Sequence, residues 1–211
     1  MELFWLGHSC FRLRGRDATV ITDPCDRASG YTLGRVSADA LTVSNSHPNH
    51  SAVGAVDGSP HVIDGPGEYE VHGVFVNGVR TSPPKSADKI VRNTAYLITV
   101  DDIRVCHLGD LASLLNAEQI ELMKDVDVLL VPVGGHCTIG ASEAVEVISQ
   151  VEPRLVVPMH YQTEVSTAEL DPLDRFLHEM GIGQADPQPR LNVTRSSLPT
   201  EPTVAVLAFR R

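Results

Sequence analysis

The apolar positions of this chain change their spacing partway along. Over about the first 110 residues they come as short runs alternating with polar positions, the pattern of pleated strands with one buried face. Such runs lie at 2–6, 10–14, 17–23, 41–43 and 61–64, then from 65 through Val79, and again at 94–100 and 103–106. Gly15-Arg16 and Asp101-Asp102 sit between runs as hairpin turns. Residues 26–39 form a mixed polar loop, and 81–92, with two prolines and several charges, form another. Beyond this half, strands alternate with helices. Asn116, with Gln119 three positions later, caps a helix over 117–124. Residues 127–133 and 154–158 are nearly continuous apolar stretches, as in strands buried on both faces. Ala141, Ala144, Val145 and Ile148 mark one face of a helix, and Ser166 with Glu169 predicts another as far as Met180. Strands at 191–194 and 203–209 close the chain. No linker or repeat interrupts it, so residues 1–211 read as a single α/β domain.

Composition narrows the partners. At 42% hydrophobic and 21% charged the chain is an ordinary globular one, and with 5% aromatics its core must be mostly Val, Leu, Ile and Ala. A formal net charge of −10 argues against nucleic acid or an anionic membrane as the main partner. A small-molecule substrate or ligand remains, an anionic one included, because local donors can outweigh net charge. Four scattered cysteines without a CxxC pair, and a start lacking a basic, apolar leader, fit a reducing cytoplasm. No apolar run approaches a membrane span. Nothing in the pattern speaks to oligomeric state.

Chemistry gathers where strands end. After Leu41-Thr42-Val43 comes Ser44-Asn45-Ser46-His47-Pro48-Asn49-His50-Ser51, where Pro48 forbids a ladder and His47 and His50 stand three apart. Asp110 follows Gly109, and His160 follows Pro158-Met159. Nitrogen and carboxylate donors in this mixture suit zinc, and iron or manganese less well. Asp23, before Pro24, is a turn former or a group that orients a metal ligand. His8 either faces the same site or is a hydrogen-bonded structural histidine. His107 lies on the strand before Asp110 and reads as structural, and His61 and His72 read as solvent-facing. Gly134 and Gly135, with His136 beside them, precede a helix. Their N–H groups could hold an anionic substrate group, or they form a plain turn. Cys106 and Cys137 read as small buried hydrophobes.

Trp5-Leu6-Gly7-His8-Ser9-Cys10-Phe11, Asp23-Pro24, Pro66-Gly67-Glu68-Tyr69, His107-Leu108-Gly109-Asp110, Pro132-Val133-Gly134-Gly135 and Pro158-Met159-His160-Tyr161 together resemble the metallo-β-lactamase superfamily. Within it, the chain is similar to small bacterial metal-dependent hydrolases related to the sugar-phosphate lactonases. The resemblance implies a four-layer αββα sandwich with its site in the groove between the sheets. The family signature His-x-His-x-Asp-His falls here on Asn45, His47, Asn49 and His50, so two ligand positions have become amides. The family's middle-loop histidine has no counterpart in Ser82-Pro83-Pro84-Lys85. The resemblance therefore implies at most one zinc, held by His47, His50, Asp110 and His160. The resemblance makes Asp110 and Asn49 the catalytic positions; Asn49, at the position of the motif aspartate, cannot accept a proton, which leaves Asp110 as the only acid to position an attacking water. Two functions are then open: hydrolysis of a small ester, lactone or phosphate-bearing compound, or an inactive member that binds a ligand or protein partner. Nucleic-acid processing is disfavoured by the charge.

Overall fold

The computed structural model describes residues 1–81 and 92–210 and folds the alternating runs into two mixed sheets. In the first, β1 (Glu2–Gly7), β2 (Cys10–Arg14) and β3 (Thr19–Thr22) pair antiparallel in turn. β4 (Ala40–Thr42) and β5 (His61–Ile63) extend it parallel to β3. In the second, β6 (Gly67–Val71), β7 (Val74–Thr81), β8 (Asn93–Val100) and β9 (Ile103–His107) form an antiparallel meander. β10 (Val128–Pro132) and β11 (Leu155–Met159) continue it parallel to β9. β12 (Leu191–Asn192) and β13 (Thr203–Val204) are two-residue edges, one on each sheet. The helices are α1 (Pro48–Ser51), α2 (Ala117–Leu122), α3 (Ala141–Val151) and α4 (Leu173–Glu179).

Strand alternation sorts the side chains into two cores. Trp5, Phe11, Val20 and Ala40 point from the first sheet into a large cluster shared with Val76, Tyr96, Ile98, Val105 and Leu130 of the second. Their neighbours Leu6, Cys10, Ile21 and Leu41 point the other way, into a smaller cluster with Cys25, Tyr31, Val36 and Val56. α3 packs on β10 and against α4, covering the far side of the second sheet. Every residue of β10 is buried, as its unbroken apolar run requires. These are the sandwich layers that the resemblance implies.

Several expectations are corrected in detail. The strand expected through Val79 is a hairpin, because His72 (φ 48°) and Gly73 (φ 79°) turn the chain between β6 and β7. Asp101 (φ 50°) and Asp102 (φ 62°) make the expected turn with the same backbone hand. The helix expected from Ser166 begins only at Leu173, since Pro172 is its N-cap and disfavours helical backbone at Asp171. The C-terminal strands shrink to β12 and β13. The loop expected at 81–92 lies almost wholly outside the described residues, Ser82 to Lys85 included.

Strand direction brings the ligand-bearing loops to one place. β3, β4, β9, β10 and β11 are aligned within their sheets, and β1 runs the same way as β3 because both are antiparallel to β2. Their carboxyl ends therefore meet at one rim. Tyr96 of β8 pins that rim: its hydroxyl donates across the sandwich to the carbonyls of Val43 (2.9 Å) and Ile63 (3.1 Å). The Ile63 carbonyl also accepts from Val43 N–H, so removal of the hydroxyl orphans chiefly the Val43 carbonyl. Tyr96→Phe is expected to lower the unfolding free energy by about 1–2 kcal/mol, read from urea denaturation at unchanged m-value.

Candidate metal centre

Five strand ends deliver side chains to one point on the rim. His8 comes from the two-residue loop between β1 and β2, and Asp23 from the end of β3. Asn45 to His50 follow β4, Asp110 follows β9, and His160 follows β11. Three of these residues leave their strands with left-handed backbone: His8 (φ 52°), Asp23 (φ 40°) and His160 (φ 54°). Each such residue costs on the order of 1 kcal/mol, and such strain persists only where the surroundings fix it. Here they do. The His8 carbonyl accepts from Trp5 Nε1 (2.9 Å) and from the His160 amide (3.2 Å). Gly109 (φ 57°) lets the chain pass so closely that a Cβ would lie 2.4 Å from Asn93 Oδ1. The Asp110 amide then donates to that same Asn93 oxygen (2.9 Å).

The side chains form a connected, buried chain. Asp23, fully buried, accepts from the Ser44 amide (2.7 Å), the Ser44 hydroxyl (2.6 Å) and His50 Nδ1 (2.7 Å). With Nδ1–H committed to Asp23, His50 turns Nε2 toward Asp110 Oδ1, 3.1 Å away. His160 Nε2 faces the same oxygen at 3.4 Å. Asn45 Nδ2 donates to the other oxygen, Oδ2, at 3.2 Å. His8 is 3% exposed, and its ring centroid lies 4.2 Å from that of His160 and 5.1 Å from that of His50. One ligand atom from each of His8, His50 and His160 can be chosen so that all lie within 4.8 Å of one another.

Charge in this cluster is unbalanced. Burial pushes the imidazoles of His8 and His160 below the ordinary histidine range, and for His8 the neighbouring His160 and His50 add to the effect. Burial acts the same way on His50, but Asp110 and Asp23 outweigh it and push its pKa up to about 10. Burial would raise the Asp110 carboxyl, yet His50 and His160 hold it well below the usual carboxylate range. Neutral His8 and His160 are in the form that ligates metal. Asp110 Oδ1 and His160 Nδ1 are buried without a hydrogen-bond partner. Without metal, protonated His50 is the cation that faces this oxygen, in an ion pair whose hydrogen-bond geometry is poor; a metal ion could take that place once His50 gives up its Nε2 proton. Tetrahedral zinc, with bonds of about 2.0–2.1 Å, spaces its ligand atoms by roughly 3.3–3.4 Å, close to the separations at Asp110 Oδ1. The donors present fit a metal ion.

Of the residues expected from the sequence, His50, Asp110 and His160 come together. His47 stands apart: it is exposed, its ring centroid is 6.3 Å from that of His50, and its Nδ1 accepts the Asn49 amide (3.2 Å) as the N-cap of α1. Asn49 is half-buried inside that helical turn. Gly134 packs directly on the backbone of His160. The Gly135 amide donates to the Ile139 carbonyl (3.2 Å) and α3 begins only at Ala141, so that amide is not free for an anion. His136 is exposed. Asp23 holds His50 as a ligand-orienting group does. His107 is buried, with Nε2 donating to the Ser9 carbonyl (2.8 Å), and Cys137 is partly buried near Asp110. His8 is the residue for which the sequence left two readings open; Gly7-His8-Ser9 between two strands was the one signal.

The sequence profile of the beta-lactamase superfamily domain matches residues 2–160. A UPF0173 protein of Pyrococcus furiosus is 30% identical over 203 residues, covering 85% of this chain and 90% of its own. A UPF0173 metal-dependent hydrolase of Pyrococcus horikoshii is 38% identical over 100 residues, 46% of this chain and 44% of its own. Among solved structures, a Thermotoga maritima protein described as a candidate Zn-dependent hydrolase of the metallo-beta-lactamase superfamily superposes with a TM-score of 0.80. It is 36% identical, with 98% of this chain and 97% of that one covered. An isothiocyanate hydrolase from Delia radicum gut bacteria (TM-score 0.71, 12% identity) shares the fold alone. With the profile spanning most of its length and relatives matched nearly end to end, the chain belongs to the beta-lactamase superfamily, among the UPF0173 proteins.

Proposed function

We propose that the protein is a metal-dependent hydrolase of small esters, lactones or phosphate-bearing compounds, working with one divalent ion, zinc by donor type. The observation that carries this reading is Asp110 Oδ1, buried and, among the described residues, without a well-formed hydrogen bond, in ion-pair reach of both His50 Nε2 (3.1 Å) and His160 Nε2 (3.4 Å). Those three groups would hold the ion. When bound, such an ion supplies Lewis acidity at a carbonyl or phosphoryl oxygen and lowers the pKa of a water.

The chain's own residues set up the rest. Asp23 fixes the His50 ring and commits its Nδ1 proton, and Asn45 fixes Asp110 through Oδ2 so that Oδ1 faces the imidazoles. Asn49 carries no proton-accepting group, and Asp110, held well below the usual carboxylate range, is the one acid left at the reacting end to position a water rather than to take its proton. Ser44 and Asn45 also line a cleft of about 500 Å³, reached by Asp64, Arg80 and Arg92. Two arginines against one aspartate in the lining of this cleft, on a chain of net charge −10, favour a substrate with a carboxylate or phosphate group. That cleft, rather than the Gly134–His136 turn, is where we place the anionic end. Localisation in the cytoplasm accords with an intracellular metabolite of this kind; among the described residues no helix is long and apolar enough to cross a membrane.

The second reading, a member that binds and catalyses nothing, draws on the two amides in the ligand motif. Elemental analysis separates the two. Protein purified without chelator or histidine tag is expected to carry about one zinc per chain, lost in His50→Ala and in His160→Ala. No metal after incubation with zinc would sink the hydrolase. Asp23→Ala should weaken the metal about 10–100-fold and, because it leaves buried donors unpaired, destabilise the metal-free protein by about 3 kcal/mol or more. Titration calorimetry and denaturation measure the two effects. In a screen of esters and lactones with and without a phosphate group, Arg80→Ala should raise KM for phosphate-bearing substrates about tenfold, roughly 1.4 kcal/mol, and leave neutral ones unchanged.

A further inference from the structure

We infer that His8, on the loop between β1 and β2, is a direct ligand of the metal, giving a site of His8, His50, His160 and Asp110 in which His47 has no part. This rests on the metal-centre reading and extends it to a residue from a different strand end.

Three observations carry it. The first is proximity. A ring nitrogen of His8 lies within 4.8 Å of ligand atoms of both His50 and His160, whereas neither His47 nor Asp110 belongs to that group among the described residues; Asp110 joins it only through Oδ1, 3.1 Å from His50 Nε2 and 3.4 Å from His160 Nε2. On one tetrahedral zinc with bonds of about 2.0–2.1 Å the three nitrogens would stand roughly 3.3–3.4 Å apart, so binding would draw the rings closer than the 4.8 Å within which they now lie. The second is burial without a structural job. The His8 ring is almost wholly enclosed, yet among the described residues neither of its nitrogens has a hydrogen-bond partner. Its nitrogens are not among the fully buried unpartnered atoms, so the ring keeps an opening at the rim while sitting against two other imidazoles, which is the position of a ligand rather than of a core histidine. The third is placement. The loop carrying His8 has left-handed backbone at that residue, and its carbonyl is held by Trp5 and by the amide of His160 itself. The backbone of one ligand thus positions the backbone of the other, so the two rings keep a fixed relation.

His47 fails the same tests. Its Nδ1 caps α1 and its ring is exposed, leaving only Nε2, pointed by the cap geometry rather than by the cluster. Four donors, three neutral nitrogens and one carboxylate oxygen, fill a tetrahedral site, and a water or substrate oxygen is then admitted as a fifth group.

The test monitors the ring nitrogens of the full, untagged chain with ¹⁵N-labelled histidine while zinc is added to metal-free protein. His8, His50 and His160 are expected to shift, each saturating at one zinc per chain, and His47 to stay put. This needs no variant to fold. His8→Gln, with circular dichroism as a check on folding, should weaken cobalt binding at least about a hundredfold and reduce the intensity of the cobalt visible bands, while His47→Ala binds within about threefold of wild type. If His47 shifts with His50 and His160 while His8 does not, His8 is no ligand and the metal centre stands without it. If no imidazole responds to zinc, this inference and the hydrolase reading fall together.

Discussion

A buried carboxylate with three donors on it organises the rim of this protein. Asp23 has no contact with solvent, so its charge is tolerable only because the Ser44 amide, the Ser44 hydroxyl and His50 all donate to it. That arrangement fixes the start of the motif loop and the face that His50 presents. Asp110 is then drawn to His50, and His160 to Asp110. Five chain segments from two sheets are thereby held to one another by polar contacts rather than by apolar packing alone. Left-handed backbone at His8, Asp23 and His160 is the strain that this convergence demands, and it is borne where several bonds over-determine each residue.

Much of this was legible in the sequence because strand ends announce themselves. An apolar run followed by Asp-Pro, Gly-Asp or Pro-Met-His places a polar side chain at a rim, and Asp23, Asp110 and His160 are all found there. The company each keeps was less legible. His47 and His50 look equivalent at a spacing of three, but Pro48 starts a helical turn that makes His47 its cap and sends only His50 inward. His8 could not be decided, since the sign of φ in a two-residue loop settles which way its ring points, and histidine tolerates either sign. The misplaced start of the last helix has a similar cause. The capping pattern at Ser166 yields to Pro172, whose constraint on the preceding residue is steric and dominates.

The amide at position 45 changes the logic of the site rather than merely subtracting from it. An imidazole there would compete with His50 and His160 as a lone-pair donor. Asn45 instead offers an N–H to Asp110 Oδ2, which leaves Oδ1 as the free end of that carboxylate. On the proposed reading, a position that holds an ion in the family signature here aims a ligand, and outer contacts of this kind commonly decide affinity by an order of magnitude or more.

Charge also bears on how many ions such a site can hold. On the proposed reading, one carboxylate and three neutral imidazoles surround one divalent ion, for a net charge near +1 that Asp23, one hydrogen bond behind His50, brings close to zero. A second divalent ion would have no further carboxylate among the described residues of the cluster to face it. Placing two uncompensated positive charges in a pocket whose members are at most 6% exposed would carry a desolvation cost of several kcal/mol per ion, with little Coulombic return. Motif positions 45 and 49 are where additional donors could have supplied that return, and both are neutral amides. On the proposed reading, the same balance would put a substrate's negative charge away from Asp110, on the side of the cleft lined by Arg80 and Arg92.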